Sequence, residues 1–273
     1  MLADYPLAMA NPDEPVVFDR AAHCYDATRG FPPGVDERVA DVIAEAGGLG
    51  RDARLLEIGV GTGRVALPLA RRLGRVVGVD LSRAMMERLL AKRGDRRVDP
   101  VRADAAQLPF ADRSFDAVLG VHVFHLIPRW REVLAEVARV LAPGAPLLHA
   151  AEDRTAGWSR WRDRFGAEHQ VGNVGVPSDR FDEFPADVGW RARGAAHRIR
   201  YARPVTPREM IDRVATRAWS FTWRMTDAQL AEAEEGLRAD LLARYGDLDR
   251  PVEQEGGFWV RAYLPPDGVT PSS

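Results

Sequence analysis

The chain has 273 residues, of which 46% are hydrophobic, so it can bury a full core and is neither disordered nor fibrous. Its 38 basic and 40 acidic side chains give a formal charge of -2, so no long-range field favours nucleic acid, and we expect no such partner. The single cysteine, Cys24, excludes an internal disulfide and a multi-cysteine metal site, which suits a reducing cytoplasm.

The first 50 residues are interrupted by prolines and glycines around one amphipathic helical stretch, Val35 to Ala46. This pattern predicts an N-terminal cap or lid rather than a separate domain. The N-terminus lacks a basic segment followed by a long apolar core, and no run approaches the roughly 20 apolar residues of a membrane helix. We therefore expect a soluble, cytoplasmic protein with no membrane partner.

Residues 51–152 alternate short β-rich apolar runs with helical ones, which is typical of parallel βα units. The predicted strands are Leu55 to Val60, Val76 to Asp80, Pro100 to Ala103, Phe115 to Val123 and Pro146 to Ala151. The predicted helices between them are Arg64 to Leu73, Arg83 to Arg93 and Pro128 to Leu141. This block is the predicted α/β core.

Residues 153–196 are predicted to be an insertion, with a helix at Trp158 to Gln170, and residues 197–273 to complete the sheet. The later predicted elements are a strand at His197 to Arg203, helices at Pro207 to Arg217 and Asp227 to Tyr245, and a strand at Phe258 to Leu264. Six of the seven tryptophans lie after residue 152, and they fit either core packing or a lid over a partly apolar substrate. The predicted fold is a doubly wound, mainly parallel seven-strand α/β sheet that ends in an antiparallel strand.

The glycine-rich turn Glu57-Ile58-Gly59-Val60-Gly61-Thr62-Gly63 follows the first predicted strand and precedes a helix. Nucleotides bind at this edge of a parallel sheet, where glycines allow a ligand to touch the main chain. A dinucleotide fingerprint has a third glycine where this chain has Arg64. Glu57 would repel a pyrophosphate but would attract the α-amino group and sulfonium of S-adenosylmethionine.

Acidic residues follow the next two predicted strands. Asp80 ends the second strand, where a carboxylate accepts hydrogen bonds from a ribose diol in either kind of nucleotide site. Asp104 follows the third strand and can accept a hydrogen bond from the exocyclic amine of adenine. Asp80 also fits a helix cap before Ser82, and Asp104 a loop acid.

Five stretches, in order, resemble class I S-adenosylmethionine-dependent methyltransferases of the type 11 group. They are 55–64 (Leu-Leu-Glu-Ile-Gly-Val-Gly-Thr-Gly-Arg), 77–82, 103–110, 115–118 and 133–145. The resemblance covers residues 51–151 and extends to Tyr25-Asp26-Ala27-Thr28-Arg29-Gly30, which looks like a lid element. It implies a Rossmann-like methyltransferase fold with a helical cap and insertion.

The resemblance also implies a set of cofactor contacts. Glu57 and the three glycines would surround the methionyl part, Asp80 the ribose, and Leu81 and Met85 the adenine faces. The remaining implied contacts are Asp104 and Ala105 at the adenine edge, the Val121 and His122 backbone at the pocket floor, and Arg29 with Tyr25 at the methionine carboxylate.

Two histidines follow the fourth predicted strand, His122 and His125. Either can act as a general base on the acceptor, because the ordinary imidazole pKa lies near 6.5, although methyl transfer from an activated sulfonium can proceed by positioning alone. If the strand alternates, His125 points outwards and His122 inwards. His149 lies within a strand and is predicted to be structural, whereas His169 and His197 carry no motif.

Two sequence patterns that the chain lacks limit the kinds of methyl transfer that we expect. There is no Asn/Asp-Pro-Pro-Tyr/Phe motif, which disfavours a nucleic-acid or protein-amide methyltransferase. No spacing of carboxylates and histidines indicates a metal site. The predicted function is methyl transfer from S-adenosylmethionine, with S-adenosylhomocysteine as product, to O, N or C of a small molecule by a monomer or homodimer. A cofactor-binding protein without catalysis and an NAD-type enzyme remain the alternatives.

Overall fold

The structure is a computed structural model that describes residues 15–153, 175–176, 180–181 and 183–266. Its helices are α1 (Tyr25–Arg29), α2 (Val35–Gly47), α3 (Ala66–Leu73), α4 (Arg83–Lys92), α5 (Trp130–Val140), α6 (Glu183–Ala186), α7 (Pro207–Ala215) and α8 (Asp227–Tyr245). Its strands are β1 (Leu55–Ile58), β2 (Val76–Asp80), β3 (Val98–Arg102), β4 (Ala117–Val121), β5 (Leu147–Asp153), β6 (Arg191–Val205) and β7 (Val252–Leu264). The predicted helix Trp158 to Gln170 lies outside the described residues.

The strands form one seven-stranded sheet in the order β3-β2-β1-β4-β5-β7-β6. Strands β1 to β5 pair in parallel, whereas β7 runs antiparallel to both β5 and β6. The predicted mainly parallel α/β sheet is therefore confirmed. The strand order reverses at β1 and β4, which places a switch point at the carboxyl ends of these two strands, where ligands bind in doubly wound sheets.

Both faces of the sheet are covered, as the all-buried pattern of β1 requires. Leu55 packs into a core with α2 and α3, while Leu56, its neighbour on the other face, packs into a core with α5. A third cluster joins α7 to α8. Each of these two helices begins with a capping box, Thr206 with Glu209 and Thr226 with Gln229, which explains why they start where they do.

Several predicted boundaries were wrong. Strand β6 begins at Arg191 rather than at His197, and β7 at Val252 rather than at Phe258. Their extra residues are mostly polar or small, so hydrophobic periodicity does not reveal them. Pairing makes them strands, because the start of β6 pairs with the end of β7 and the start of β7 with the end of β6. Strand β4 ends at Val121 instead of Val123, because His122 has a φ of 49° and turns the chain.

Candidate functional site

The glycine turn lies at the carboxyl end of β1 and is held by backbone hydrogen bonds to β2. The amides of Gly59 and Val60 donate to the Val79 carbonyl at 2.8 and 3.0 Å. Gly59, Gly61 and Gly63 have φ values of 71°, 54° and 76°, a region that other residues rarely adopt. A Cβ on Gly59 would lie 2.7 Å from Cγ2 of Val123. The turn therefore requires glycine and leaves bare main chain at the sheet edge.

Asp80 ends β2 beside this turn, as predicted. One carboxylate oxygen accepts the Gly61 amide at 2.8 Å, and the other accepts the Ser82 amide at 2.8 Å. Burial raises the pKa of Asp80, although these two hydrogen bonds act against the shift. Because each carboxylate oxygen has a further lone pair, the side chain can hold the turn and still accept hydrogen bonds from a diol.

Glu57 on β1 is the most buried acid of the site, with only 2% of its surface exposed. Its Oε2 is buried and has no hydrogen-bond partner. Burial raises its pKa to about 8, the nearby Arg64 lowers it, and Asp80 raises it further. Such an unsatisfied carboxyl group beside a nucleotide-type turn fits a ligand that brings a hydrogen-bond donor or a cation.

The segment 15–30 docks onto two loops of the site through acids that the sequence did not single out. Asp26 on α1 accepts a hydrogen bond from Thr62 Oγ1 at 2.5 Å and pairs with Lys92 Nζ at 2.5 Å. Asp19 accepts from Ser82 Oγ at 2.5 Å. These contacts place α1 next to the glycine turn and α4.

Arg64, which replaces the third glycine of a dinucleotide fingerprint, ties several elements together. Its Nη1 donates to the Arg29 carbonyl at 2.8 Å and to Oε1 of Glu152. Its guanidinium lies 4.3 Å from the ring centroid of Phe31. Burial lowers the pKa of Arg64, but Glu152, Tyr25 and Tyr201 together outweigh it and leave the pKa raised. Arg64 is therefore a charged link between α1, the glycine turn and the end of β5.

The predicted contacts to the methionine carboxylate, Arg29 and Tyr25, lie on α1. Nη2 of Arg29 donates to the Ala218 carbonyl at 3.4 Å, and its guanidinium lies 5.9 Å from the Trp219 ring. Tyr25 packs edge-to-face on Phe18 at 5.9 Å. Both residues lie on α1, and their carboxylate role stays a prediction.

The predicted adenine contacts follow β2 and β3. Met85 is buried, its Cε lies 3.2 Å from where a Cβ on Gly61 would stand, and its amide is capped by Ser82 Oγ at 3.1 Å. Leu81 and Ala105 are half-buried. Asp104 caps its own loop by accepting the Ala106 amide at 2.9 Å, and it also pairs with Arg129. Part of the hydrogen-bonding capacity of Asp104 is thus used within the protein.

The two candidate catalytic histidines follow β4. Nε2 of His122 accepts the backbone amide of Glu152 at 2.7 Å, so this nitrogen already has a structural partner and is an unsuitable base. Val121 is buried at the strand end. His125 lies in a 3-10 turn, Phe124–Leu126, so strand alternation does not decide its direction. The His122 and His125 rings are 6.4 Å apart.

Three of the other four histidines, His23, His149 and His197, lie in described residues, and His149 is fully buried in β5. Its ring stacks on Phe181 at 3.7 Å between centroids. Burial, followed by the nearby His122 and His125, lowers its pKa well below 6.5. These contacts agree with the predicted structural role.

The chain is a doubly wound α/β protein with a nucleotide-type glycine turn and acids at the ends of β1 and β2. Residues 56–148 match the family described as "Methyltransferase domain". Over these residues the chain carries a methyltransferase domain.

Among curated relatives, the chain is 43% identical over 98 residues to phthiotriol/phenolphthiotriol dimycocerosates methyltransferase 1 of Mycobacterium ulcerans. That match covers 35% of this chain and 36% of the relative. The first five curated relatives are matched over 36%, 54%, 36%, 55% and 59% of their lengths, so the likeness lies in the domain rather than in the whole proteins.

Two solved structures share the fold at low identity. Phosphoethanolamine N-methyltransferase 2 of Haemonchus contortus, solved with phosphomonomethylethanolamine and S-adenosylhomocysteine, is 22% identical with a TM-score of 0.54, covering 91% of this chain and 58% of that chain. The [4+2]-cyclase SpnF is also 22% identical, with a TM-score of 0.56, covering 88% of this chain and 85% of that chain. The fold thus carries more than one chemistry.

Two structural features bear on other kinds of site. In the described part of the chain, no helix combines the length and apolar character needed to cross a bilayer. Across the same ranges, no three His, Cys, Asp or Glu side chains come together as a metal site would require.

Proposed function

We propose that this chain transfers the methyl group of S-adenosylmethionine to O, N or C of a small molecule. The observation that carries the proposal is the buried carboxyl of Glu57, whose Oε2 has no partner, beside a turn of three glycines. A cationic α-amino group would satisfy this carboxyl, whereas the pyrophosphate of a dinucleotide would not. The methyltransferase family of residues 56–148 supports the same donor.

The residues of this chain would hold the donor in an extended pose along the sheet edge. Glu57 and the glycine amides take the methionyl part, Asp80 the ribose, and Met85, Leu81, Ala105 and Asp104 the adenine. When bound, S-adenosylmethionine supplies a methyl group activated by the positive charge of its sulfur. The lid segment, docked through Asp26 and Asp19, would exclude water from that methyl group.

Residues near the end of β4 would position the acceptor. His125 is the better candidate for a base, because Nε2 of His122 is already bound to the Glu152 amide. Arg29 and Tyr25 would complete the methionyl end. We further propose a lid at residues 1–50, a donor domain at 51–152, an acceptor-covering insertion at 153–196 and a sheet-completing part at 197–273.

The proposal is tested by incubating the purified chain with a metabolite extract and a donor that carries a deuterated methyl group. Mass spectrometry should reveal at least one small molecule that gains the labelled methyl, and His125→Ala should slow its formation. Binding of S-adenosylhomocysteine without any labelled product would overturn catalysis and support a cofactor-binding protein. Binding of NADH in its place would support a dehydrogenase.

A further inference from the structure

Three arginines on separate elements lie within reach of one another's charge, since Arg29 on α1 and Arg203 near the end of β6 both act on Arg213 of α7. Arg29 reaches the segment that follows α7, where its Nη2 donates to the Ala218 carbonyl at 3.4 Å. Nε of Arg203 donates to the Gln254 side chain at 3.4 Å. The fold therefore brings together cations that are far apart in sequence.

Two cations and one acid act on Arg213 in this arginine cluster. Burial lowers the pKa of Arg213, and the charges of Arg203 and Arg29 lower it further, while Glu209 on the same helix offsets part of the effect. Among the described residues, the Arg213 guanidinium makes no hydrogen bond or ion pair. Its neighbours in sequence differ, since Arg208 pairs with Asp249 and Arg217 with Asp227 at 2.8 Å.

The cluster lies on the donor side of the molecule. Strand β6 runs in the same direction as β1 to β5, so its end lies at the edge that carries the glycine turn. Tyr201, two residues before Arg203 and on the same face, has its pKa raised by burial and by Glu152 and lowered by Arg64 and Arg203. Arg64 in turn binds the Arg29 carbonyl.

Aromatic rings flank these arginines. The Arg29 guanidinium lies 5.9 Å from the Trp219 ring, and Tyr201 packs edge-to-face on Phe31 at 6.3 Å. Arginines remain charged at neutral pH even when their pKa is lowered, so their crowding costs free energy until an anion joins them. An organic molecule with an acidic group could pair with the arginines through that group and pack against the aromatic rings with its apolar part.

We propose that Arg203 and Arg213, together with Arg29, bind an oxyanion group, carboxylate or phosphate, of the methyl acceptor. This inference rests on the proposed function, because it names the class of acceptor for the same site. One donor carboxylate neutralises a single positive charge, so three arginines leave charge for a second anion. The acceptor is then an organic anion whose acidic group anchors it next to the donor.

The test follows the thermal midpoint of the chain saturated with S-adenosylhomocysteine, at constant ionic strength, as phenyl phosphate, benzoate or benzyl alcohol is added. We expect a saturable rise with at least one of the two anions and none with the alcohol. If only phenyl phosphate raises the midpoint, the acidic group of the acceptor is a phosphate. If only benzoate raises it, the acidic group is a carboxylate. In Arg203→Gln and Arg213→Gln, the half-saturating concentration should increase at least tenfold.

Arg200→Gln is the matched control, because Arg200 is exposed on the opposite face of β6 and its loss removes the same charge. It should respond to the anions as the unmodified chain does. Without anions, Arg213→Gln should melt no lower than the unmodified chain, since it relieves repulsion; a lower midpoint would indicate a structural role and contradict the proposal. No saturable rise, or equal rises in all variants, would overturn it. A separate calorimetric titration with S-adenosylhomocysteine reports the proposed function independently.

Discussion

Glu57 shows how far residue types alone lead towards this site. Because Glu57 precedes the glycines, the sequence predicted that it lies near a cationic ligand. Only the packing of the fold shows that Glu57 is buried, that its Oε2 has no hydrogen-bond partner and that its pKa is raised to about 8. Asp80 was predicted at a strand end, and its bonds to the Gly61 and Ser82 amides follow from the fold. Burial and long-range partners depend on tertiary structure, so local patterns do not specify them.

Glu57 should couple donor binding to proton release. At pH 7 its carboxyl is protonated, and a cationic α-amino group beside it favours the ionised form, so binding of S-adenosylhomocysteine should release up to about one proton. Glu57→Gln should release none through this route. Calorimetry in two buffers with different ionisation enthalpies measures the difference, and equal release by both proteins would contradict the role of Glu57.

The same raised pKa predicts a change in stability with pH. The native chain keeps a proton on Glu57 that the unfolded chain loses above about 4.5, so this contribution is fully present below that pH and is lost as pH rises through about 8. Relative to Glu57→Gln, the unmodified chain should lose free energy of unfolding over this range. Urea titrations at several pH values test this, with the exposed Glu45→Gln as control.

His149 should make the chain sensitive to acid. Its pKa is held well below 6.5 by burial, so below about 6.5 the unfolded chain takes up a proton that the native chain does not. His149→Phe should lose less stability between pH 7 and pH 5, by roughly 2 kcal/mol if the native ring stays neutral. The exposed His23→Phe should behave like the unmodified chain, and an equal acid loss in all three proteins would rule out the effect.

At the scale of elements, the strands of the core were predicted well and the edge of the sheet poorly. Strand β1 is a continuous apolar run that is buried on both faces, so its sequence is distinctive. The first half of β6 alternates charged and small residues at the sheet edge, where hydrogen bonds to β7 alone define it. The sequence indicated α1 only through its resemblance to a lid element. It did not predict the bonds of Asp26 to Thr62 and Lys92, because these residues are far apart in sequence.

Docking of α1 should contribute to donor affinity. Asp26→Asn removes the negative charge that pairs with Lys92 and weakens the bond from Thr62, so an open lid becomes more populated. The Kd for S-adenosylhomocysteine should rise roughly tenfold, which corresponds to about 1.4 kcal/mol. Asp41→Asn, on the exposed side of α2, should leave the Kd unchanged. Equal affinity of Asp26→Asn and the unmodified chain would mean that α1 does not cover the donor.

At the scale of the whole molecule, the described residues form three hydrophobic cores with separate positions. Two cores cover the faces of the sheet and hold the glycine turn at its switch point, while the third joins α7 and α8 at the side that carries Arg213. The alternation of strands and helices predicted the parallel sheet. The same alternation did not predict that Arg203 on β6 and Arg213 on α7 would lie near α1. Their position depends on the direction in which the edge strand β6 runs.

The central claim is that the glycine turn and Asp80 bind an adenosyl donor. The most direct measurement is a calorimetric titration of the chain, Asp80→Asn and the control Asp99→Asn with S-adenosylhomocysteine and, separately, with NADH. The unmodified chain and Asp99→Asn should bind S-adenosylhomocysteine and not NADH, and Asp80→Asn should bind it at least tenfold more weakly. Binding of NADH alone, or unchanged affinity in Asp80→Asn, would contradict the claim.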